Sequence, residues 1–294
     1  MKLRIAAAVG CGIVLIGILA WPLAAPPEPF GPVLVFAGVI SLTDVIILAL
    51  LALAAGFVAY FLSWPYGREI AILAVPSGLA VWAVRCGNMA AITQLNPTLA
   101  QRKELLASLK WEPALWLVIV AAGFAGVLAA NTVCGRAKAG ASKEKFKSEP
   151  KMYLNVIIAL VASVLIAQFG ITIFARDARL FDRQIDSVMA QPAAGQIVFA
   201  VLLSFGIAAF AVKKFLNAGY IWPIIASGLV TGFAIMANVK PDTLQHLVAH
   251  YPSAFFPNAV TSILPVQMVA FGTLGSIAGY WMAVRYDFWR KHAS

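Results

Sequence analysis

Charged side chains are scarce in this 294-residue sequence. Asp, Glu, Lys and Arg make up 12% of the residues, whereas hydrophobic residues make up 62%. A soluble domain carries about 25% charged residues, so this composition excludes a protein whose surface mostly faces water. The three cysteines (Cys11, Cys86 and Cys134) lie far apart and form no CxxC pair. Their number and spacing exclude a disulfide framework and a cysteine zinc site, and favour buried thiols.

Catalytic motifs are also lacking. The sequence has no GxSxG, P-loop or dinucleotide-binding pattern in a suitable context, so we predict neither an enzyme nor a bound cofactor. His246 and His250 are spaced i, i+4 and would share one face of a helix. Two histidines can begin a metal site, but the stretch HLVAH lacks the glutamate of HExxH and no third ligand is evident. An interfacial helix explains the pair more simply, so no metal site is predicted.

Apolar runs of about 20 residues dominate what remains. Such a run spans the hydrocarbon core as a helix, and a backbone in lipid must satisfy its hydrogen bonds within the segment. The runs predict an all-α membrane protein with about eight transmembrane helices. They cover about 5–25, 43–64, 69–87, 113–134, 153–175, 196–215, 220–239 and 264–284. The first run also resembles a signal peptide or a lipoprotein anchor, but its length and the prolines behind it favour a retained helix.

A short motif occurs twice. Ser77-Gly78-Leu79 is followed by Asn88, and 150 positions later Ser227-Gly228-Leu229 is followed by Asn238. The order of apolar runs and polar intervals also matches between the two halves. These matches predict a duplication into two four-helix repeats. An even number of crossings in each repeat makes them parallel rather than inverted.

The hydrophilic stretch between the halves predicts the domain boundaries. The first repeat is residues 1–134, a basic cytoplasmic linker follows at 135–152, and the second repeat is 153–294. In each half, the polar interval before the fourth run predicts a short amphipathic helix on the outer side. The first has the capping-box spacing Thr98 to Gln101, and the second begins near Pro241.

Positive charge is unevenly distributed among the loops. With the N-terminus in the cytoplasm, most of the 22 Lys and Arg residues lie on the cytoplasmic side, and the formal net charge of +10 falls on that side. This positive-inside pattern places both termini in the cytoplasm and explains the net charge without nucleic acid. The predicted location is a cell membrane, taken as a bacterial inner membrane, and the predicted partner is the lipid bilayer.

Five residues are candidates for binding a ligand. Four are uncharged polar residues within or at the ends of apolar runs, and the fifth is the most deeply placed cation; they are Asn88, Asn238, Gln168, Gln267 and Arg85. On the functional interpretation the paired asparagines flank an outer vestibule and Gln168 contacts a solute. Arg85 would then bind an anionic headgroup or pair with Asp44 at the outer surface. On the structural interpretation the polar side chains cap or cross-link helices, and Arg85 is an interfacial anchor.

Small residues mark the expected helix contacts. Glycine and serine allow close backbone approach, which is how helices associate in lipid. The candidates are Ser77, Gly78, Ser227, Gly228, Gly123, Gly126, Gly272 and Gly275. The duplication and the scarcity of buried charge favour transport or binding of a small neutral or apolar solute, or a lipid, at the repeat interface. The alternative is a non-catalytic scaffold or assembly subunit whose helices pack against other membrane proteins.

Overall fold

Helices occupy each of the eight apolar runs in the computed structural model, which describes residues 1–26, 31–35, 40–135, 150–175, 179–183, 186–251 and 258–292. The helices of the first half are α1 (Lys2–Gly12, continued by a π-helix at Ile13–Leu19), α2 (Trp21–Ala24), α3 (Leu42–Leu62), α4 (Gly67–Ile70, continued by a 3-10 turn at Ala71–Leu73), α5 (Ala74–Arg85), α6 (Met89–Leu95), α7 (Leu99–Leu109) and α8 (Glu112–Gly135). Those of the second half are α9 (Pro150–Phe174), α10 (Ala194–Leu216), α11 (Ile221–Asn238), α12 (Pro241–His250), a 3-10 turn at Ala259–Ser262 and α13 (Pro265–His292). Most of the predicted linker lies outside the described residues.

A short antiparallel hairpin lies between α9 and α10 of this predominantly helical chain. Strand β1 (Arg179–Asp182) pairs with β2 (Asp186–Met189), with Leu180 opposite Val188. The sequence there is short and charged, with no Asn-Gly or Asp-Gly turn, so it carries little of the usual hairpin signal. It was predicted only as a charged connection between helices.

Within the described residues, six helical stretches are long and apolar enough to cross a membrane. They are Lys2–Leu19, Leu42–Leu62, Gly67–Arg85, Leu99–Gly135, Tyr153–Phe174 and Ala194–Leu216. Helices α11 and α12 meet at a bend of 83° and make a seventh if they are taken together as one broken span. Helix α13 has 28 residues but is less apolar, because its sequence includes polar and small residues such as Gln267, Thr273 and Ser276. The chain is therefore a predominantly helical protein with several apolar helices of membrane-spanning length.

Burial separates the helices that face lipid from those at the centre. Helix α9 exposes large apolar side chains, including Leu165 at 61% and Phe169 at 70%. By contrast, most of α5 is buried, including Leu79 and Trp82. An exposed apolar face fits a bilayer rather than water.

Backbones approach closely in several helix pairs, among them α3 with α8 and α10 with α13. A Cβ atom added at Gly126 would overlap the carbonyl oxygen of Leu53, and one added at Gly275 would overlap the carbonyl oxygen of Leu202. Gly275 lies 149 positions after Gly126, and Leu202 lies 149 positions after Leu53. Only glycine permits such contact, which places main-chain atoms of the two helices against each other.

The two copies of the Ser-Gly-Leu motif pack differently. Gly78 lies against the first helix, where an added Cβ would be 2.5 Å from the carbonyl oxygen of Gly12. Gly228 lies against α8 of the other half, where an added Cβ would be 2.5 Å from Leu117 Cδ1. The motif therefore marks a close contact in each half, but the partners of the two copies are not equivalent.

The π-helical segment of the first transmembrane run holds α5 in place. Trp82 Nε1 donates to the carbonyl oxygen of Gly17 at 3.2 Å. In the π register that oxygen would accept from residue 22, which is a proline and has no N–H. The Trp82 ring meets Trp21 and Trp116 edge-on, with ring centroids 6.1 and 6.2 Å away. Wide helical turns and buried indoles together tie the first helix to the centre of the bundle.

Candidate ligand cavity

The two halves meet through α5, α8, α11 and α13. Helix α13 packs on α5 and α8, and α11 packs on α8. This contact region has two ends, which we call the Glu112 end and the Arg68 end after a residue at each. Segments 31–35 and 258–264 lie at the Glu112 end, and Met1, Arg68 and Arg285 lie at the other.

Gln267 bridges the halves at the Glu112 end. Its Nε2 donates to the carbonyl oxygen of Ala83 at 3.1 Å, and its Oε1 accepts from the Leu264 N–H at 3.1 Å. The side chain is 3% exposed. A buried amide that satisfies a carbonyl on one half and an N–H on the other fixes the two against each other.

Gln191 makes a second bridge at the same end. Its Oε1 accepts from the Ala90 N–H at 3.2 Å, and its Nε2 donates to the carbonyl oxygen of Ser262 at 3.1 Å. Ala90 begins α6 in the first half, whereas Ser262 lies in the buried 3-10 turn of the second. The Glu112 end is thus closed by amide hydrogen bonds that cross the interface.

Two buried charges reinforce this closed end. Glu112 is fully buried at the start of α8, and its Oε1 accepts from the Val35 N–H at 2.7 Å. Arg102 is 3% exposed, and its guanidinium donates to the carbonyl oxygens of Asn96 and Thr93 at 3.0 Å each, at the C-terminus of α6. Sequence reasoning missed both charges and Gln191. The only sequence signal for Glu112 was an acidic residue immediately before Pro113 at a helix start.

The Arg68 end contains a cavity of about 1030 Å³. The first half contributes Arg68, Glu69, Ile70 and Ile72 to its lining. The second half contributes Tyr220 and one face of α13, namely Ala278, Trp281, Arg285 and Phe288 with neighbours of theirs. The spacing of these α13 residues places them on a single helical stripe.

The turn before α4 brings the first half to this cavity. The chain reverses after α3 and packs Gly67 onto Tyr60, where an added Cβ would lie 2.6 Å from the Tyr60 carbonyl oxygen. Glycine at this position allows the turn to close against α3. The following residues, Ile70 to Leu73, are buried and anchor the turn, whereas Arg68 and Glu69 remain exposed.

The lining is amphipathic. Arg68, Glu69 and Arg285 are exposed, whereas Tyr220 and Trp281 are half-buried. The Tyr220 and Tyr280 rings meet edge-on with centroids 5.3 Å apart. Burial raises the pKa of the Tyr220 hydroxyl, and the positive charge of Arg68 opposes that rise. The hydroxyl therefore stays protonated at neutral pH and can donate a hydrogen bond.

Of the predicted binding residues whose side chains are described, none lines this cavity. Asn88 is the N-cap of α6, where its Oδ1 accepts from the Ala91 N–H at 2.9 Å. Gln168 is half-buried on α9, which packs on α10 and α11 in its own half. Helix α11 ends at Asn238, whose side chain lies outside the described part of the chain. Gln267 bridges the two halves at the closed end.

Arg85 does not pair with Asp44 in the structure. Its guanidinium lies 4.4 Å from the centroid of the Trp21 ring, a cation–π contact at the exposed end of α5. Asp44 instead closes a capping box with Ser41 at the start of α3. The predicted Thr98–Gln101 capping box is confirmed, with both reciprocal hydrogen bonds present.

The remaining candidates occupy helix contacts or the surface. A Cβ added at Gly272 would lie 2.8 Å from Ser227 Cβ, and one added at Gly123 would overlap Val75. Ser77 is buried, and the buried Ser227 hydroxyl donates to the Ile224 carbonyl oxygen at 2.6 Å. The rings of His246 and His250 stack with centroids 4.5 Å apart on α12. Within the described ranges, no three His, Cys, Asp or Glu side chains come together in a group that could hold a metal ion.

Lining, charge and hydrogen bonding therefore single out the cavity at the Arg68 end as the candidate site. Its walls come from both halves, and its charged residues lie at helix ends that the sequence separates widely. Comparison of the chain with protein-family models, curated proteins and solved structures gives no match.

Proposed function

We propose that this chain is a multi-pass membrane protein that binds and transports an amphiphilic lipid. The lipid would lie between the two halves, in the cavity at the Arg68 end. The observation that carries the proposal is the cavity itself, about 1030 Å³ in volume and walled by both halves. Cavities of roughly 300–1,000 Å³ enclose most of a drug-sized ligand. This one is large enough for a lipid headgroup with the first part of its chain.

The cavity walls suit an amphiphile better than a fully polar solute. Ile72, Trp281 and Phe288 supply apolar surface, and Arg68 and Arg285 supply charge in the same lining. A purely apolar solute would leave the charges without a partner, and a small polar solute would leave the aromatic surface uncovered. A lipid satisfies both surfaces at once, with its headgroup at the charged positions.

The closed Glu112 end supports transport of the ligand as well as binding. The Gln267 and Gln191 bridges join the halves there, while the cavity separates them at the Arg68 end. A carrier that rocks two halves about a site would alternate between this arrangement and one with the bridges broken. The bridges consist of a few hydrogen bonds, each worth about 1 kcal/mol net, so their exchange is energetically accessible.

We propose further that the halves are parallel repeats with eight crossings and both termini in the cytoplasm. Four observations support this. Helices occupy all eight apolar runs, and the backbone contacts at Gly126 and Gly275 recur at equal spacing. Met1 and Arg285 line one cavity and so lie at the same end of the bundle. The positive-inside charge pattern assigns that end to the cytoplasm.

Filling the cavity tests the binding site. The Ala278→Trp substitution places an indole in the lining, and we expect the purified protein to lose the lipid that the wild type retains from its membrane. Retained lipid is measured by native mass spectrometry after transfer to mild detergent. The Ala54→Trp substitution is the matched control, because Ala54 is exposed on α3 and lines no described cavity.

Equal lipid retention in the wild type and the Ala278→Trp variant would rule out this cavity as the site. The same outcome would favour the scaffold alternative, because a scaffold keeps its partners when the cavity is filled. Both variants should elute as monodisperse protein, since Ala278 and Ala54 are exposed and the added ring displaces no buried side chain.

A further inference from the structure

The geometry points to a more specific ligand, and this inference rests on the proposed function. We propose that the cavity at the Arg68 end selects a lipid with an anionic headgroup, such as a phosphodiester, held between Arg68 and Arg285. The two guanidinium groups belong to opposite halves, so one headgroup would connect both halves of the protein.

The charge of the lining sets the sign of the headgroup. Arg68 and Arg285 contribute two positive charges and Glu69 contributes one negative charge, and Met1 also belongs to the lining. Within the described part of the chain, none of the Arg68, Glu69 and Arg285 side chains makes an ion pair or hydrogen bond with another residue. The lining therefore has an excess of positive charge, which favours an anionic headgroup.

The positions of the two arginines favour a phosphate group. A guanidinium donates two parallel N–H bonds to a phosphate or carboxylate, whereas an ammonium acts as a point charge. Both arginines are exposed at the Arg68 end of the bundle. In the proposed topology this end faces the headgroups of the cytoplasmic leaflet. Arg285 also stacks on the Trp289 ring, with its guanidinium carbon 5.0 Å from the ring centroid. Because this contact already orders the side chain, less conformational entropy is lost on binding.

The remaining walls define where the rest of the lipid goes. The Tyr220 hydroxyl stays protonated and can donate to a phosphate or glycerol oxygen. Ile72, Ala278 and Trp281 continue the lining with apolar surface, which fits the beginning of an acyl chain. Free inorganic phosphate would make only the headgroup contacts, so it should compete poorly with the lipid.

The test compares headgroups in bilayers of defined composition. The full-length protein is placed in nanodiscs containing equimolar phosphatidylcholine and phosphatidylglycerol, and the bound lipids are released and counted by native mass spectrometry. We expect phosphatidylglycerol to be enriched about tenfold over phosphatidylcholine in the wild type. Arg68→Gln and Arg285→Gln should each lower that enrichment about fivefold. Ten millimolar inorganic phosphate should leave the enrichment unchanged.

Lys214→Gln is the matched control, because it removes one positive charge at the same end but outside the cavity lining. Lys214 instead lies 4.8 Å from the centroid of the Tyr286 ring. An equal loss of enrichment in this variant would show a general surface-charge effect and overturn the proposal. Equal retention of the two lipids by the wild type would also overturn it, while leaving lipid binding in the cavity intact. If the wild type retained no lipid, that result would contradict the proposed function itself. Displacement of the lipid by inorganic phosphate would show that the site binds a free anion rather than a lipid.

Discussion

Replacing Gly126 by alanine is expected to lower the free energy of unfolding by about 2 kcal/mol. The added Cβ would overlap the carbonyl oxygen of Leu53, and the next nearest atoms, Leu53 C and Phe57 N, also belong to the backbone of α3. Backbone atoms cannot move aside as a flexible side chain can, so α8 would have to shift away from α3. The loss is measured by unfolding in mixed micelles of mild detergent and dodecyl sulfate.

Gly10→Ala is the control for helix propensity. Gly10 also lies within a helix, but nothing lies within 4 Å of the position that its Cβ would take. Alanine is intrinsically favoured over glycine in a helix by about 1 kcal/mol, so this variant should be neutral or more stable. Gly275→Ala should match the loss at Gly126, because its Cβ would overlap the Leu202 carbonyl oxygen. If Gly126→Ala and Gly10→Ala changed the free energy of unfolding in the same direction, that result would contradict the close packing of α3 against α8.

Replacing Gln191 and Gln267 together by alanine is expected to open the Glu112 end. The double substitution removes four hydrogen bonds that involve Ala90, Ser262, Ala83 and Leu264. The hydrogen bonds to Ala90 and Ala83 are the ones that join the two halves. If they contribute about 2 kcal/mol together, their loss raises the population of the state with an open Glu112 end about thirtyfold.

Cys86 reports this opening without a new cysteine. It is buried at the end of α5, and its Sγ lies 3.6 Å from the Ala83 carbonyl oxygen that Gln267 also contacts. In a background with Cys11→Ala and Cys134→Ala, a membrane-impermeant maleimide should label Cys86 about thirtyfold faster in the double variant. Gln168→Ala is the matched control, because that side chain forms no hydrogen bond with another described residue. Unchanged labelling in the double variant would show that the glutamines do not hold this end closed.

The sequence predicted local features well because they depend on neighbouring residues. The eight apolar runs became helices, and the Thr98 capping box formed as its spacing indicated. Asn88 caps a helix, which was one of its two predicted roles. In each case the deciding partners lie within four residues of one another, so periodicity and spacing are sufficient.

The site could not be predicted in the same way, because its parts are distant in sequence. Arg68 and Arg285 each looked like an ordinary interfacial anchor at the end of its own helix. Only the packing of α13 against the first half brings them into one lining. Gln168 attracted interest because it is polar within an apolar run, but the position of α9 in the bundle decides what it can contact. Glu112 and Gln191 depend on contacts with loop segments, for which the sequence has no periodic signal.

Labelling of an Ala278→Cys variant tests whether the ligand cavity between the halves opens at one end only. The three native cysteines are first replaced by alanine, and a membrane-impermeant maleimide is applied separately to each face of sealed vesicles. We expect rapid labelling from the cytoplasmic face only, with protection when phosphatidylglycerol is present in the bilayer. Labelling from both faces would contradict the closed Glu112 end. If the variant were labelled from neither face, that result would contradict the cavity.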